Sequence, residues 1–147
     1  MISFSFRPFT VVSLVAVMML LGPGFPAAAQ TKPPRDPAAI QRKVQRSAEL
    51  QRQALQALGN PAQADRIIGS AYDSLKSGYD DMALNATVAK TPDPMLALSL
   101  KKAEQALGLV QGAQDAFRGG VENPADVARE RLQQALRVTN SLLATGF

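Results

Sequence analysis

The sequence predicts an all-α fold, a single antiparallel up-down-up-down four-helix bundle that follows a cleaved N-terminal signal peptide. Three observations predict it: an Asp or Asn directly precedes proline four times, a proline-free stretch with helical spacing follows each pair, and the connections are short. The Asx side chain can accept a hydrogen bond from an amide of the first turn. Proline at the first helical position sacrifices no hydrogen bond, because an N–H at that position has no partner within the helix. The pairs are Asp36-Pro37, Asn60-Pro61, Asp93-Pro94 and Asn123-Pro124.

The first 29 residues are expected to be a signal peptide. Arg7 supplies a positive charge, residues 10–21 form an apolar run, and Gly22-Pro23-Gly24 ends it. Ala27-Ala28-Ala29 offers small residues where a signal peptidase reads, so we expect cleavage after Ala29. The alternative is an uncleaved membrane anchor, but about a dozen apolar residues are short against the roughly 20 that span a bilayer. The mature chain is then exported, to the periplasm or the extracellular medium.

The remaining residues divide into an arm and a bundle. Residues 30–35 are expected to form an extended, mobile arm, because Pro33-Pro34 favours polyproline geometry. Residues 36–147 are expected to form the bundle. Apolar side chains recur there at steps of three and four residues, which is typical of helices with one buried side. The predicted helices cover about residues 37–58, 61–89, 94–118 and 124–145.

Three positions within these helices carry more specific expectations. Asn60 and Gln63 have the spacing of a capping box at the start of the second helix. Gln51 falls in the apolar stripe of the first helix, where it is either a buried amide that fixes the helix register or a residue at the edge of the interface. Ser77-Gly78 is the point at which we expect the second helix to kink or break, because glycine weakens a helix interior.

The amino-acid composition excludes the metal sites and the nucleophilic catalysis that depend on His or Cys. The sequence has no His and no Cys, so haem, di-iron and zinc sites lack their ligands. Ser-His and Cys-His nucleophile pairs are excluded on the same ground. Asp80-Asp81 is an adjacent carboxylate pair, but consecutive helical residues diverge, which favours a solvated face over weak calcium contact. We therefore expect no catalytic residue, no cofactor and no metal.

Charge is unevenly distributed along the chain. Residues 30–58 carry six basic and two acidic side chains, whereas residues 59–93 carry three basic and five acidic ones. We expect these segments to complement each other within the molecule, with an anionic partner as the alternative. Nucleic-acid binding is disfavoured, because the basic residues alternate with Gln rather than with aromatic rings. A candidate contact with an anionic membrane surface comprises Lys32, Arg35, Arg42, Lys43 and Arg46.

Two further sets of residues are candidate contact sites. Gly108, Gly112 and Ala116 have the small-xxx-small spacing that lets another helix approach, so they are a candidate surface for a homodimer or a partner helix. Neutral drift in an alanine-rich helix is the alternative interpretation. Tyr72 and Tyr79 lie two turns apart and are candidates for lining a cleft, although such rings more often pack inward with a solvated hydroxyl.

No motif identifies a reaction or a ligand. The sequence favours a small exported, non-catalytic bundle that acts by protein–protein binding, as an accessory or scaffold protein of the envelope. The alternative is peripheral binding to a membrane surface through the basic arm and the first helix. An enzyme would need a site built from Lys, Tyr or Asp, and no pattern in the sequence locates one.

Overall fold

The computed structural model describes residues 32–147. This range contains no strand and four helices, which are α1 (Pro37–Gln56), α2 (Pro61–Val88), α3 (Pro94–Arg118) and α4 (Pro124–Thr145). Connections of four or five residues join them. The all-α prediction with four helices is confirmed, and each helix begins at the expected proline. The expected signal peptide and the first two residues of the arm lie outside the described residues.

Three of the Asx residues cap their helices through the side chain. Asp36 Oδ1 accepts a hydrogen bond from the Ala38 amide at 3.0 Å, and Asp93 Oδ1 accepts one from the Met95 amide at 2.8 Å. Asn60 Oδ1 accepts from the Gln63 amide at 3.2 Å. The Asn60 amide itself donates to the Ala57 carbonyl. The expected capping box is therefore formed on one side only.

The capping prediction is wrong for Asn123. Its backbone is left-handed, with φ 55° and ψ 58°, and its side chain makes no capping hydrogen bond. Five residues connect α3 to α4, and Gly120 in the same connection also has a positive φ of 64°. Asn tolerates the left-handed region better than most residues, because its short polar side chain can bond locally. Asn123 therefore serves the turn rather than the first amides of α4.

The second helix continues through Ser77-Gly78 without a break. Gly78 is buried against α1, where an added Cβ would lie 3.2 Å from Val44 Cγ2 and 3.6 Å from Lys43 Cβ. Close by, the Ser74 hydroxyl donates to the Lys43 carbonyl at 2.9 Å. The glycine therefore allows α1 and α2 to approach closely, and the packing of the two helices offsets its weak helix propensity.

Gln51 is a fully buried amide that links α1 to α4. Its Nε2 donates to Ser47 Oγ at 3.2 Å and to Thr139 Oγ1 at 3.1 Å. Each hydroxyl in turn donates a hydrogen bond to a main-chain carbonyl: Ser47 to that of Ala71 at 2.7 Å and Thr139 to that of Ala135 at 2.9 Å. Within the described chain, Gln51 Oε1 is buried without a hydrogen-bond partner. Of the two interpretations of Gln51, the buried amide is the one that the structure supports.

Candidate functional site

A shallow groove lies between α1 and α2, near the connection that joins them. It consists of two adjoining hollows of about 350 and 280 Å³ that share Gln63 and Ile67. We call it the α1–α2 groove. Its lining residues are Leu50, Gln53, Gln56, Ala57, Gln63, Arg66, Ile67 and Ser70.

The helical spacing of the sequence produces the two walls of the α1–α2 groove. Leu50 and Gln53 lie three residues apart on α1, and Ala57 follows four residues later at its C-cap. Gln63, Ile67 and Ser70 follow each other at steps of four and three residues on α2. Residues at these steps share one side of a helix. The side chains of Leu50 and Ile67 are half-buried, whereas the glutamines are exposed. The groove therefore has an apolar floor and polar walls.

The polar groups of the groove suit a polypeptide better than a reactive substrate. A glutamine side chain offers both a carbonyl acceptor and amide donors, the same groups that a peptide backbone presents. Arg66 bonds only the Ala62 carbonyl of its own helix, at 3.3 Å, and forms no ion pair with any residue in 32–147. The Ser70 hydroxyl donates to the Arg66 carbonyl. The groove thus offers amides and one free positive charge.

Most acidic side chains of α2 are engaged within the molecule. Asp81 contacts Arg35 Nε at 3.5 Å and also the Lys43 ammonium. Asp65 accepts two hydrogen bonds of 3.1 Å from the Arg118 guanidinium, and these raise the pKa of Arg118 above its ordinary value. The hydrogen bond to Asp80 likewise raises the pKa of Lys76. Of these pairs, only those of Asp81 join the basic segment 30–58 to the acidic segment 59–93, as the charge distribution predicts.

The five basic residues proposed for an anionic surface fall into a paired and an unpaired set. Arg35 and Lys43 face α2 and share the Asp81 carboxylate. Arg42 and Arg46 are exposed on α1, and neither forms an ion pair with another residue from 32 onwards. Lys32 is exposed in the arm. A membrane contact through the arm and α1 could use Lys32, Arg42 and Arg46 without breaking a pair, and it remains a prediction.

The arm is fixed to α2 at Arg35. The Arg35 amide donates to Asn85 Oδ1 at 2.6 Å, and the Arg35 carbonyl accepts from Asn85 Nδ2 at 2.9 Å. The side-chain amide of Asn85 thereby bonds both main-chain groups of Arg35, since it carries the same donor and acceptor as a peptide group. The expected mobility of the arm therefore does not extend to Arg35.

Replacing Asn85 with alanine is expected to release the arm. The hydrogen–deuterium exchange of the Arg35 amide, followed by NMR, should accelerate at least tenfold, because its protection depends on this one side chain. Asn85→Asp is the matched control: it keeps the acceptor for the Arg35 amide and should show a smaller change. Unchanged exchange in Asn85→Ala would mean that another contact holds the arm.

Gly108, Gly112 and Ala116 do not share one exposed face, which corrects the interpretation of their spacing. An added Cβ at Gly108 would meet no atom within 4 Å, whereas at Gly112 it would lie 3.9 Å from Arg131 Cδ of α4. Ala116 is 4% exposed and belongs to the core. Each four-residue step turns about 40° around a helix, so the row passes from solvent into the bundle. A partner contact through Gly108 and Gly112 alone remains a prediction.

The two tyrosines are half-buried at the margin of the core. The buried apolar side chains form two clusters, one that includes Ile68 and one that includes Leu75. Tyr72 packs against both clusters, and Tyr79 packs against the second. Tyr72 also borders a hollow of about 150 Å³ with Gln111, Gln114, Asp115 and Arg118. The Lys76 ammonium lies 5.9 Å from the centroid of the Tyr79 ring. The structure thus places both rings inward, as tyrosines at the margin of an apolar stripe usually are.

Residues 32–147 hold no cluster of metal ligands and no helix suited to crossing a membrane. No three side chains of the His, Cys, Asp or Glu types converge there as ligands for a metal ion. None of the four helices combines the length and the hydropathy that crossing a membrane requires. No protein-family model, curated protein or solved structure matches this chain. The geometry of its surfaces is therefore the basis for a functional proposal.

Proposed function

We propose that this chain is an exported, non-catalytic helical-bundle protein that binds another protein, as an accessory or scaffold component of the envelope. The observation that carries the proposal is the α1–α2 groove, with its apolar floor, its glutamine walls and the unpaired charge of Arg66. Export and cleavage after Ala29 rest on the signal-peptide pattern of the first 29 residues.

The proposal includes an antiparallel up-down-up-down arrangement of the four helices. Contacts between α1 and α2 support it, since Lys43 meets Asp81 whereas the later residue Ser47 meets the earlier residue Ala71. Contacts between α3 and α4 follow the same rule: Ser99 bonds the Gly146 carbonyl, and Gly112 faces Arg131. This arrangement sets the end of α1 beside the start of α2, and those two segments form the walls of the groove.

The partner that fits the groove is an acidic polypeptide segment. Arg66 supplies a positive charge that nothing in the described part of the chain neutralises, because the adjacent Asp65 is bound to Arg118. Leu50 and Ile67 can receive an apolar side chain, and the glutamine amides can bond the main chain around it. Ser70 carries the one hydroxyl in the groove, and this hydroxyl donates a hydrogen bond to the Arg66 carbonyl. The lining therefore offers binding groups rather than a nucleophile with a base.

Site-specific photocrosslinking in the exporting cells tests this proposal. A photoreactive phenylalanine is placed at Gln53 or at Gln63, one on each wall of the groove, and in a control at Gln105, which is exposed on α3. We expect the two groove positions to capture the same protein and Gln105 not to capture it. Capture of unrelated proteins from the two walls, or equal capture from Gln105, would contradict a partner in the groove.

A further inference from the structure

Two of the most exposed large apolar side chains lie together at the start of α3. Among residues 32–147, Met95 is 52% exposed and Leu98 is 45% exposed, and the third such residue, Val121, lies beyond the other end of α3. Exposed Pro92, Pro94 and Ala97 adjoin the first two. We call this surface the α3 tip; it comprises Pro92, Pro94, Met95, Ala97 and Leu98. Adjoining exposed apolar side chains make this surface a candidate for contact with a partner.

Lysines flank the α3 tip. Lys90 is exposed just before it and Lys101 is exposed just after it, and no ion pair joins either of them to another described residue. The one carboxylate within the tip, Asp93, accepts hydrogen bonds from the Met95 and Leu96 amides at 2.8 and 3.4 Å. Its charge is therefore directed at the helix terminus. Exposed apolar side chains between unpaired lysines are typical of surfaces that rest on an anionic bilayer.

The charges around the α3 tip favour an anionic bilayer as the occupant of this surface. Lys90 and Lys101 have no acidic partner among residues 32–147, so both ammonium groups are available to lipid phosphates. The tip follows the end of α2, and Asn85 lies one turn before that end.

We propose that the α3 tip is a lipid-contacting surface, at which Met95 and Leu98 enter the headgroup region of an anionic bilayer and Lys90 and Lys101 contact lipid phosphates. This surface differs from the arm and α1, because it is built only from residues of α3 and of the connection that precedes it. It is also remote from the α1–α2 groove. Gln63 and Asn85 are 22 residues apart on α2, which corresponds to about 33 Å along a helix. Lipid binding at the tip leaves the groove free for a protein.

Co-sedimentation of the processed chain with phospholipid vesicles tests the α3 tip. The protein is purified from the exporting cells and mixed at low salt with vesicles of phosphatidylcholine alone or with one quarter phosphatidylglycerol. We expect binding to the anionic vesicles only, and its loss at high salt. Met95→Ser with Leu98→Ser should weaken binding at least tenfold. Lys90→Glu with Lys101→Glu should weaken it by about fivefold or more per lysine.

Matched controls separate the tip from other surfaces. Val121→Ser removes an equally exposed apolar side chain elsewhere, and Arg42→Glu with Arg46→Glu reverses the exposed charges of α1; both should bind within about twofold of the unchanged protein. Failure of the unchanged protein to bind anionic vesicles would overturn the proposal. So would loss of binding in the α1 variant with retention in the tip variants, which would assign the contact to α1.

A second copy of the chain is the other occupant that the test distinguishes. If the α3 tip joined two copies, the unchanged protein would sediment as a dimer in analytical ultracentrifugation, and Met95→Ser with Leu98→Ser would give a monomer with undiminished vesicle binding. That result would overturn the lipid contact. The same tip variant is expected to keep the crosslinks from Gln53 and Gln63, so failure at the tip is distinguishable from failure of the proposed protein binding.

Discussion

Replacing Gly78 with leucine is expected to lower the free energy of unfolding by about 3 kcal/mol. A Cβ at this position would already lie 3.2 Å from Val44 Cγ2, and Val44 is fully buried. Val44 is β-branched, so it has few rotamers into which it can move. The larger leucine must therefore push α1 and α2 apart along their contact. Urea denaturation followed by far-UV circular dichroism measures the change.

Gly108 provides the matched control for this substitution. It also lies within a helix, but it is exposed and an added Cβ would meet nothing within 4 Å. Gly108→Leu should therefore raise the free energy of unfolding by about 0.5–1 kcal/mol, through helix propensity alone. Equal effects at the two positions would show that Gly78 does not mark a close contact between α1 and α2.

The second large effect is expected at the buried amide of Gln51. Gln51→Glu should lower the free energy of unfolding by about 3 kcal/mol or more at pH 7, because it buries a charge without a counterion. The Ser47 and Thr139 hydroxyls could solvate that charge only by giving up the Ala71 and Ala135 carbonyls. Burial disfavours the ionised form and so raises the pKa of the carboxyl in the folded state above its unfolded value. The loss due to the charge should therefore shrink as the pH falls from 7 towards about 4, below which the carboxyl is protonated in both states.

Gln51→Met separates the charge from the shape of this side chain. Methionine has a similar length, removes the unpartnered Oε1, and leaves both hydroxyls bonded to their carbonyls. It is expected to raise the free energy of unfolding by about 1 kcal/mol, because a buried acceptor without a partner is destabilising. Chemical denaturation of both variants across a pH series checks the pair. A loss in Gln51→Met as large as that in Gln51→Glu would show that the amide stabilises the bundle.

Local sequence patterns predicted the helix starts better than they predicted the packing. A side-chain cap depends on the cap residue and the next two or three amides, so Asp36, Asn60 and Asp93 were predictable. Asn123 was not, because its left-handed backbone is set by a turn that also involves Gly120. Gly78 shows the same limit: propensity indicates a weak point in α2, whereas the approach of α1 that makes glycine suitable is a tertiary contact.

The candidate sites were harder to predict because each joins segments that are distant in the chain. Leu50 and Ile67 lie at the margins of the apolar stripes, and Gln63 was interpreted only as part of a cap, so no pattern joined them into the α1–α2 groove. Arg35 and Asn85 are 50 residues apart, and neither carries a local sign of their contact. The charge distribution did indicate pairing between α1 and α2, but it could not select Asp81 as the shared carboxylate.

The central claim, that the α1–α2 groove binds an acidic protein segment, is tested most directly by reversing the charge of Arg66. With the photoreactive residue at Gln63, Arg66→Glu should reduce the yield of the crosslinked partner by about tenfold. Arg131→Glu reverses an exposed charge far from the groove, beside Gly112, and should leave the yield unchanged. Equal yields from both variants would contradict the account, because the partner would then not contact the one free charge in the groove.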